Sequence, residues 1–442
     1  MSSSLALPAR GAGRLAALVV GLCWLVVLFD GLDMFIYGSV LPHMLETKAL
    51  GIDPGKAGDV GSYATFGMLI GALCSGTVSD WVGRKKTIIV STAVFSLASA
   101  LCAAAGSLDV FSLGRFLAGL GLGGLLPSAI TMVTEYAPRG RRALIVGSLM
   151  TAHQAGGIVA GFVALGTGDW RVSFWICVIP LIIGVPLAAA YLPESMAFLQ
   201  AKGRDDEART LAERYGVDLA ARAEERRAVA DRFGALTALF RGGRWAQTLL
   251  FWIASFGGLL LVYGVSQWLP SLMRANGYNL GSSIGFVIVI NLGGIVGMLI
   301  GGRLTDRFGG SVVSAVWFGA TAVGIYSLSV KMPLPLTYTV VFLTGLFLFS
   351  AQAMIYATVA HRSDDDNRAT AVGWTSGMGR FGAVFGPWLG GQLLAGGSTT
   401  AGFTAFALAG VFSLVFVSLT GLRSVRTTPP SPAPRQELTA TG

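Results

Sequence analysis

Twelve times along this 442-residue chain an apolar run of about twenty residues or more recurs, separated by polar loops. A helix rises ~1.5 Å per residue, so roughly 20 residues cross the ~30 Å hydrocarbon core of a bilayer. The runs predict spans at 16–41, 58–79, 86–105, 109–135, 142–165, 171–192, 246–270, 281–304, 311–330, 335–359, 368–394 and 400–421. Only 12% of the residues are charged, against about 25% in soluble domains. No soluble domain of this size hides so much apolar surface, and the 61 glycines suit helices that pack closely in lipid. The expected fold is an all-α membrane protein of twelve transmembrane helices in two six-helix bundles. Cys23, Cys74, Cys102 and Cys177 all fall inside apolar runs and read as small packing residues, so no metal and no disulfide is expected.

Charge orients the runs. Of the 32 Lys and Arg, 25 lie in the two termini and in the loops after even-numbered spans. Lys48, Lys56, Arg171, Arg274 and Lys331 lie on the other side, and Arg115 and Arg380 lie within spans. The bias places both termini in the cytoplasm, with the chain in the cytoplasmic (inner) membrane. The net charge of +9 is spread over short loops and forms no nucleic-acid recognition patch. Arg10 and Arg14 ahead of an apolar run resemble a signal peptide, but the run continues through DGLDMFIYGSVLP and reads as a retained first helix. The expected domains are a bundle at 1–192, a linker with short helices at 193–245, a second bundle at 246–424 and a disordered tail at 425–442. In the linker, Asp205 and Arg209 have the spacing of a helical ion pair.

The chain repeats itself. GALCSGTVSDWVGRK at 71–85 and GMLIGGRLTDRFGGS at 297–311 superpose with an offset of 226 residues. Gly71, Leu73, Gly76, Asp80 and Gly83 fall on Gly297, Leu299, Gly302, Asp306 and Gly309. Such internal repeats mark carriers whose binding site lies between the halves near the bilayer midplane. Gly76 and Gly83 permit close approach and a tight turn, and Asp80 can pair with Arg84 or meet a helix N-terminus. Gly76, Asp80, Gly83, Arg84, Lys85 and Asp306 therefore read as a latch between conformations.

A charge inside a span costs at least ~2.5–3.5 kcal/mol on insertion scales, so it is functional by default. Asp30 and Asp33 lie three apart on one face of the first helix. Two carboxylates this close resist ionising together, which suits proton coupling. The plainer reading is that one of them neutralises Arg115. Arg115 can pair with Asp30, Asp33 or Glu135, in a coupling or a structural role. Glu135 sits near the membrane edge and can be merely interfacial. Arg380 is flanked by Gly379 and Gly382, which would open space beside it. It needs an anion, either a substrate carboxylate or a structural partner across the halves. His153, in TAHQAGG, is either cavity-facing or a satisfied structural residue.

The motif GTVSDWVGRKK resembles the loop signature of the major facilitator superfamily, with Trp81 in place of a usual basic residue. Arg115 followed by Gly119, Gly121 and Gly123, and LPESMAFL after the sixth span, are similar to other marks of that superfamily. Asp30, Gly31 and Asp33 as DGxD, the run GLGLGGLLPSAITMVTEY and RATAVGWTSGMGRFGAVFGPWLGG together resemble its aromatic acid:proton symporter branch, and the first helix, FDGLDMFIYGSVLP, looks most like the benzoate-type members. The resemblance implies proton-coupled uptake of an aromatic monocarboxylate by rocking of two bundles, a monomer, Arg380 important for transport, and no cofactor. An aromatic acid needs an apolar slot, for which Phe35, Tyr37, Tyr263, Trp268, Tyr356, Trp374 and Phe381 are candidates. Gln267, Asn291 and Gln352 can position a ring substituent or only bridge helices. Export by proton antiport is the alternative, disfavoured because the fifth span lacks a Gly-Pro pair. Uptake of another organic acid or a sugar is a third. An enzyme is not expected, because no nucleophile–base pair, metal cluster or phosphate loop is present.

Overall fold

The computed structural model describes residues 10–137, 142–215, 239–240, 245–363 and 368–422, all helix and short loop. The first half contains α1 (Arg10–Glu46), α2 (Pro54–Val82), α3 (Arg84–Ala104), α4 (Leu108–Tyr136) and α5 (Arg142–Thr167). The sixth crossing is made by α6 (Trp170–Ile176), α7 (Ile179–Ile182) and α8 (Gly184–Tyr191). Two short helices follow, α9 (Met196–Ala201) and α10 (Asp205–Tyr215). The second half contains α11 (Trp245–Ala275), α12 (Leu280–Phe308), α13 (Gly310–Ser327), α14 (Leu334–Arg362), α15 (Arg368–Ala395) and α16 (Thr399–Leu422). Residues 216–238 of the expected linker and the tail from 423 lie outside the described residues.

Ten crossings are long and apolar enough to span a membrane by length and composition. The other two expected spans, α2 and α15, are equally long but less apolar. They pack against each other, so their surface meets helix as well as lipid. Where one unbroken sixth span was expected, Pro180 and Pro186 divide it. Proline lacks the N–H that would continue the ladder and clashes with the carbonyl four residues back. Helix starts are capped by side chains: Asp53 for α2, Ser107 for α4, Asp169 for α6, Ser195 for α9 and Asn279 for α12. The amide of Lys56 donates to Asp53 at 2.9 Å. That bond holds the exposed Asp53 carboxyl below its ordinary pKa. In the linker, Arg204 pairs with Glu207 at 2.7 and 2.5 Å, and no Asp205–Arg209 pair forms among the described residues. Cys23, Cys102 and Cys177 are buried as expected of packing residues, but Cys74 is exposed on α2.

The repeat is structural. In the first half, a Cβ on Gly67 or Gly71 would lie 2.2 Å from the carbonyl oxygen of Phe116 or Leu120, and one on Gly119 would lie 1.9 Å from that of Ala64. In the second half, Gly293 meets Phe342 at 2.1 Å, and Gly297 and Gly345 meet Leu346 and Ile290 at 2.0 Å. Every one of these pairs is displaced by the same 226 residues. Backbones of α2 and α4 touch as those of α12 and α14 do. Gly83 and Gly309, also 226 apart, carry φ of 97° and 84°, the left-handed region where only glycine turns without strain.

An even number of crossings puts the start of α1 and the end of α16 on one face, here the terminal face; the other is the far face. Toward the far face the halves touch. Gly58 on α2 and Gly391 on α15 leave no room for a Cβ on either. Ser62 donates to the Val384 carbonyl at 2.8 Å, and Glu46 pairs with Arg274 across the halves. Nearer the terminal face the same two helices part. A Cβ added to Gly76, Gly373 or Gly377 would have nothing within 4 Å, and Leu73, Trp81 and Trp374 are exposed.

Gly71→Ala is expected to cost about 1–3 kcal/mol through overpacking. Gly76→Ala, with open space beside it, is expected to be neutral or slightly stabilising. Thermal unfolding of the two purified variants in detergent checks this; equal melting temperatures would contradict the close-contact account.

Candidate functional site

Two buried charges of the first half meet each other. Asp33 on α1 and Arg115 on α4 are both buried, with Arg115 Nη1 3.1 Å from Asp33 Oδ2. Ser99 on α3 donates to the other Asp33 oxygen. Arg115 also lies over the rings of Tyr37, at 5.4 Å, and Phe174, at 5.6 Å. Asp33 is thus held by a cation and a hydroxyl. Of the three pairings open to Arg115, the structure forms the one with Asp33. Glu135 stands twenty residues further along α4, about 30 Å away at 1.5 Å per residue. It accepts the Ser195 hydroxyl at 2.7 and 2.8 Å and ties the loop after the sixth crossing to the terminal face.

Asp30, one turn earlier on α1, has a different environment. Its Oδ2 lies 3.7 Å from His153 Nε2 on α5, and its Oδ1 is buried without a hydrogen-bond partner. Glycines set that distance. A Cβ on Gly31 would fall 2.0 Å from the His153 carbonyl oxygen, and one on Gly156 would fall 2.2 Å from that of Leu28. The backbones of α1 and α5 therefore touch at the residue that carries the imidazole. The two carboxylates share a helix face as the spacing requires, yet each turns to a different partner.

Arg380 enters from α15 in the second half. It makes no hydrogen bond or ion pair among the described residues. Its charge acts through space on Asp30 and on Tyr263 of α11. Gly379 and Gly382 do not open space for it, as the sequence suggested. They press α15 onto α11, with a Cβ on Gly382 falling 1.9 Å from the Phe256 carbonyl oxygen. The close crossing fixes where the guanidinium stands.

The remaining candidates divide by what they touch. Tyr263, Gln267, Thr65 and Arg115 border a cavity of about 20 Å³ between the halves, room for roughly one water. Gln267 packs on Gly61, and its Nε2 is unpartnered. Phe35 meets His153 edge-on at 5.5 Å and Phe349 of the second half at 6.3 Å, which places the imidazole in the seam. Tyr356 lies near enough to Tyr263 to act on it electrostatically. Asn291 packs against Gly157 across the seam, its amide donating to Val287 at 2.8 Å and its oxygen unpartnered. Gln352 donates to Ser255 at 2.9 Å, and its oxygen lies beside Gly258 unpartnered. Other candidates are occupied elsewhere. Tyr37 donates to the Ala57 carbonyl at 3.0 Å, and Trp268 donates to that of Pro387 at 2.7 Å. Trp374 stacks on Trp252 at 5.7 Å on the terminal side, and Phe381 is exposed.

At the loop motif, Asp80 pairs with Arg84 at 2.7 Å. The Glu194 carboxylate accepts the amides of Lys85 at 3.0 Å and Ser195 at 2.9 Å, and lies where a Cβ on Gly83 would fall. These bonds join parts of the first half to one another. The Asp306 side chain lies outside the described residues. Ser99 escaped sequence reasoning, since a lone serine in an apolar run carries no pattern, and Glu194 was noticed only as part of LPESMAFL, without its partners.

Known proteins resemble this one throughout. Residues 23–312 and 289–441 match the model of the Major Facilitator Superfamily. A benzoate transport protein of Acinetobacter baylyi is 35% identical over 85% of this chain and 83% of its own. A gentisate transporter of Corynebacterium glutamicum is 34% identical over 92% of this chain and 87% of its own. Among solved structures, the xylose transporter of Escherichia coli in a partially occluded inward-open conformation aligns with a TM-score of 0.72 at 16% identity, over 92% of this chain and 98% of that one. At that identity the likeness speaks for the fold alone.

Removing one partner of a buried ion pair leaves an uncompensated charge and costs about 3–5 kcal/mol, whereas replacing both with apolar groups is often neutral. Arg115→Leu and Asp33→Leu are each expected to lower thermal stability sharply, and the double variant is expected to recover most of it. A double variant no better than the worse single would contradict the pairing.

Proposed function

The chain belongs to the Major Facilitator Superfamily and is related to its aromatic acid transporters, and from that premise we propose that it takes up an aromatic monocarboxylate, such as benzoate or a hydroxybenzoate, together with a proton. The observation that carries the reading is Arg380, a cation that makes no hydrogen bond or ion pair among the described residues and whose charge reaches Asp30, where Oδ1 has no partner. A carboxylate substrate offers that guanidinium two parallel charge-assisted hydrogen bonds. Tyr356 lies within electrostatic reach of Tyr263, and Phe35 packs on His153, which supports aromatic surroundings on which a ring can stack. Gln267, Asn291 and Gln352 each keep an unpartnered polar atom, which supports a part in selecting ring substituents.

The charge bias of the loops assigns the terminal face to the cytoplasm of a cell with this protein in its inner membrane. On that assignment an inward-open reading is supported by the contacts of Gly58 with Gly391 and of Glu46 with Arg274 at the far face and by the open space beside Gly76, Gly373 and Gly377 at the other. In the opposite state a proton reaches Asp30 and the anion reaches Arg380. With both charges compensated, the halves rock about the seam, and the Asp80–Arg84 motif with its Asp306 counterpart holds one of the two closures. A proton carried inward with a monoanion makes the step electroneutral and lets a pH gradient drive accumulation.

Pure protein in liposomes is expected to accumulate radiolabelled benzoate under an inwardly directed proton gradient, and to lose that accumulation with a protonophore. Competition by gentisate, salicylate and 4-hydroxybenzoate ranks the substrates. Arg380→Ala is expected to lower kcat/KM about 10- to 100-fold, the loss of a charged hydrogen bond of about 1.5–3 kcal/mol. Folded protein that moves no aromatic acid would overturn the reading.

A further inference from the structure

Asp30 is sealed, and His153 is not. The Asp30 side chain is 2% exposed, whereas that of His153, 3.7 Å away, is 18% exposed. The two are pinned by the backbone contact at Gly31 and lie at the seam, beside Phe35 and Phe349. Asp33 contrasts with this at every point: its side chain is 0% exposed, and cation and hydroxyl occupy both of its oxygens. A proton arriving at Asp33 would have to displace Arg115 or Ser99. A proton on Asp30 displaces nothing, because Oδ1 has no partner.

We propose that His153 is the proton-exchange partner of Asp30. This rests on the proton-coupled reading above and assigns its proton path. In the state open to the terminal face, the proton leaves the Asp30 carboxyl for His153 Nε2, leaving carboxylate and imidazolium. The imidazolium then gives its proton to the aqueous opening and returns to neutral. The 3.7 Å separation is longer than a hydrogen bond, and a shift of about 1 Å brings it into range. The groups facing Asp30 are Asp33 on its own helix, His153 on α5 and Arg380 on α15; Tyr263 on α11 interacts with Arg380 and with Asp30. Arg380 is the only cation among these with no close carboxylate of its own among the described residues. An anion seated on Arg380 cancels the positive charge that Asp30 faces, so anion on Arg380 and proton on Asp30 favour each other. That mutual preference is what obligatory cotransport requires, and His153 lets the proton depart once the anion has left.

The test compares two modes in the same liposomes: net accumulation of radiolabelled benzoate under a proton gradient, and benzoate exchange at equal pH on both sides. Exchange returns the carrier loaded and needs no proton release. For His153→Gln, the ratio of accumulation to exchange is expected to fall at least tenfold against the unmodified protein. The pH profile of accumulation is expected to flatten with it. An unchanged ratio and pH profile would overturn the role of His153 and leave the symport reading intact. Absence of accumulation by the unmodified protein would instead sink the symport reading itself. Should His153→Gln fail to fold, His153→Asn and Asp30→Asn serve in its place. Asp30→Asn is expected to show the same fall in ratio. The Asp30→Asn/His153→Asn double variant is expected to fall no further than Asp30→Asn alone, whereas additive losses would overturn the shared path.

Discussion

Contacts between helix backbones, made where a glycine leaves out its side chain, hold the helices of this structure together. Lipid gives helices no hydrophobic reason to associate, so close packing of small residues must hold them together. Gly67, Gly71 and Gly119 join α2 to α4, and Gly293, Gly297 and Gly345 join α12 to α14 in the same register. The two halves thereby share one design of packing. Where glycines from opposite halves meet, as at Gly58 and Gly391, the contact closes a face. No bond within a half need break for that face to open.

The same contacts decide where charge can be tolerated. Asp33 and Arg115 compensate each other inside one half and move with it. Asp30 and Arg380 belong to different halves, lie close enough to interact, and are not in contact. A charge pair split across a moving seam is sensitive to what enters between its members, and its environment changes whenever the halves rock. An ion pair within a half has neither property. The two aspartates, alike in type and adjacent on a helix, thus differ in kind because of the neighbours that α3, α4 and α5 bring to them.

Much of this was visible in the amino-acid order. Apolar runs located the crossings, because a bilayer imposes one length on every span. Five matched residues revealed the 226-residue repeat, and the structure extends it to whole contacting pairs. Intramembrane charges named Asp30, Asp33, Arg115 and Arg380, because burial in lipid is costly and a charge there stands out. Partnership was not legible. Which aspartate meets Arg115, and that Ser99 joins them, depends on three helices far apart in sequence. Gly379 and Gly382 looked like space for a guanidinium and proved to be the contact with α11, since a glycine pattern does not say which neighbour it admits. Trp374 and Trp268 looked as suitable for ring stacking as Tyr263. Their engagement with Trp252 and Pro387 is a tertiary fact. The break in the sixth crossing was marked by Pro180 and Pro186, yet hydropathy alone hid it.

In the proposed cycle the two halves rock about a seam where proton and anion meet, opening one face as the other closes. Spin-label distances test it most directly. With Cys74, the exposed cysteine, replaced by Ser, one doubly labelled protein would carry labels at Lys56 and Ser398 on the far face. A second would carry them at Trp81 and Gly373 on the terminal face. Adding benzoate at acidic pH is expected to change the two distance distributions in opposite senses, the far-face pair gaining a longer population as the terminal-face pair gains a shorter one. Distances that both stay fixed, or that lengthen together, would contradict the account.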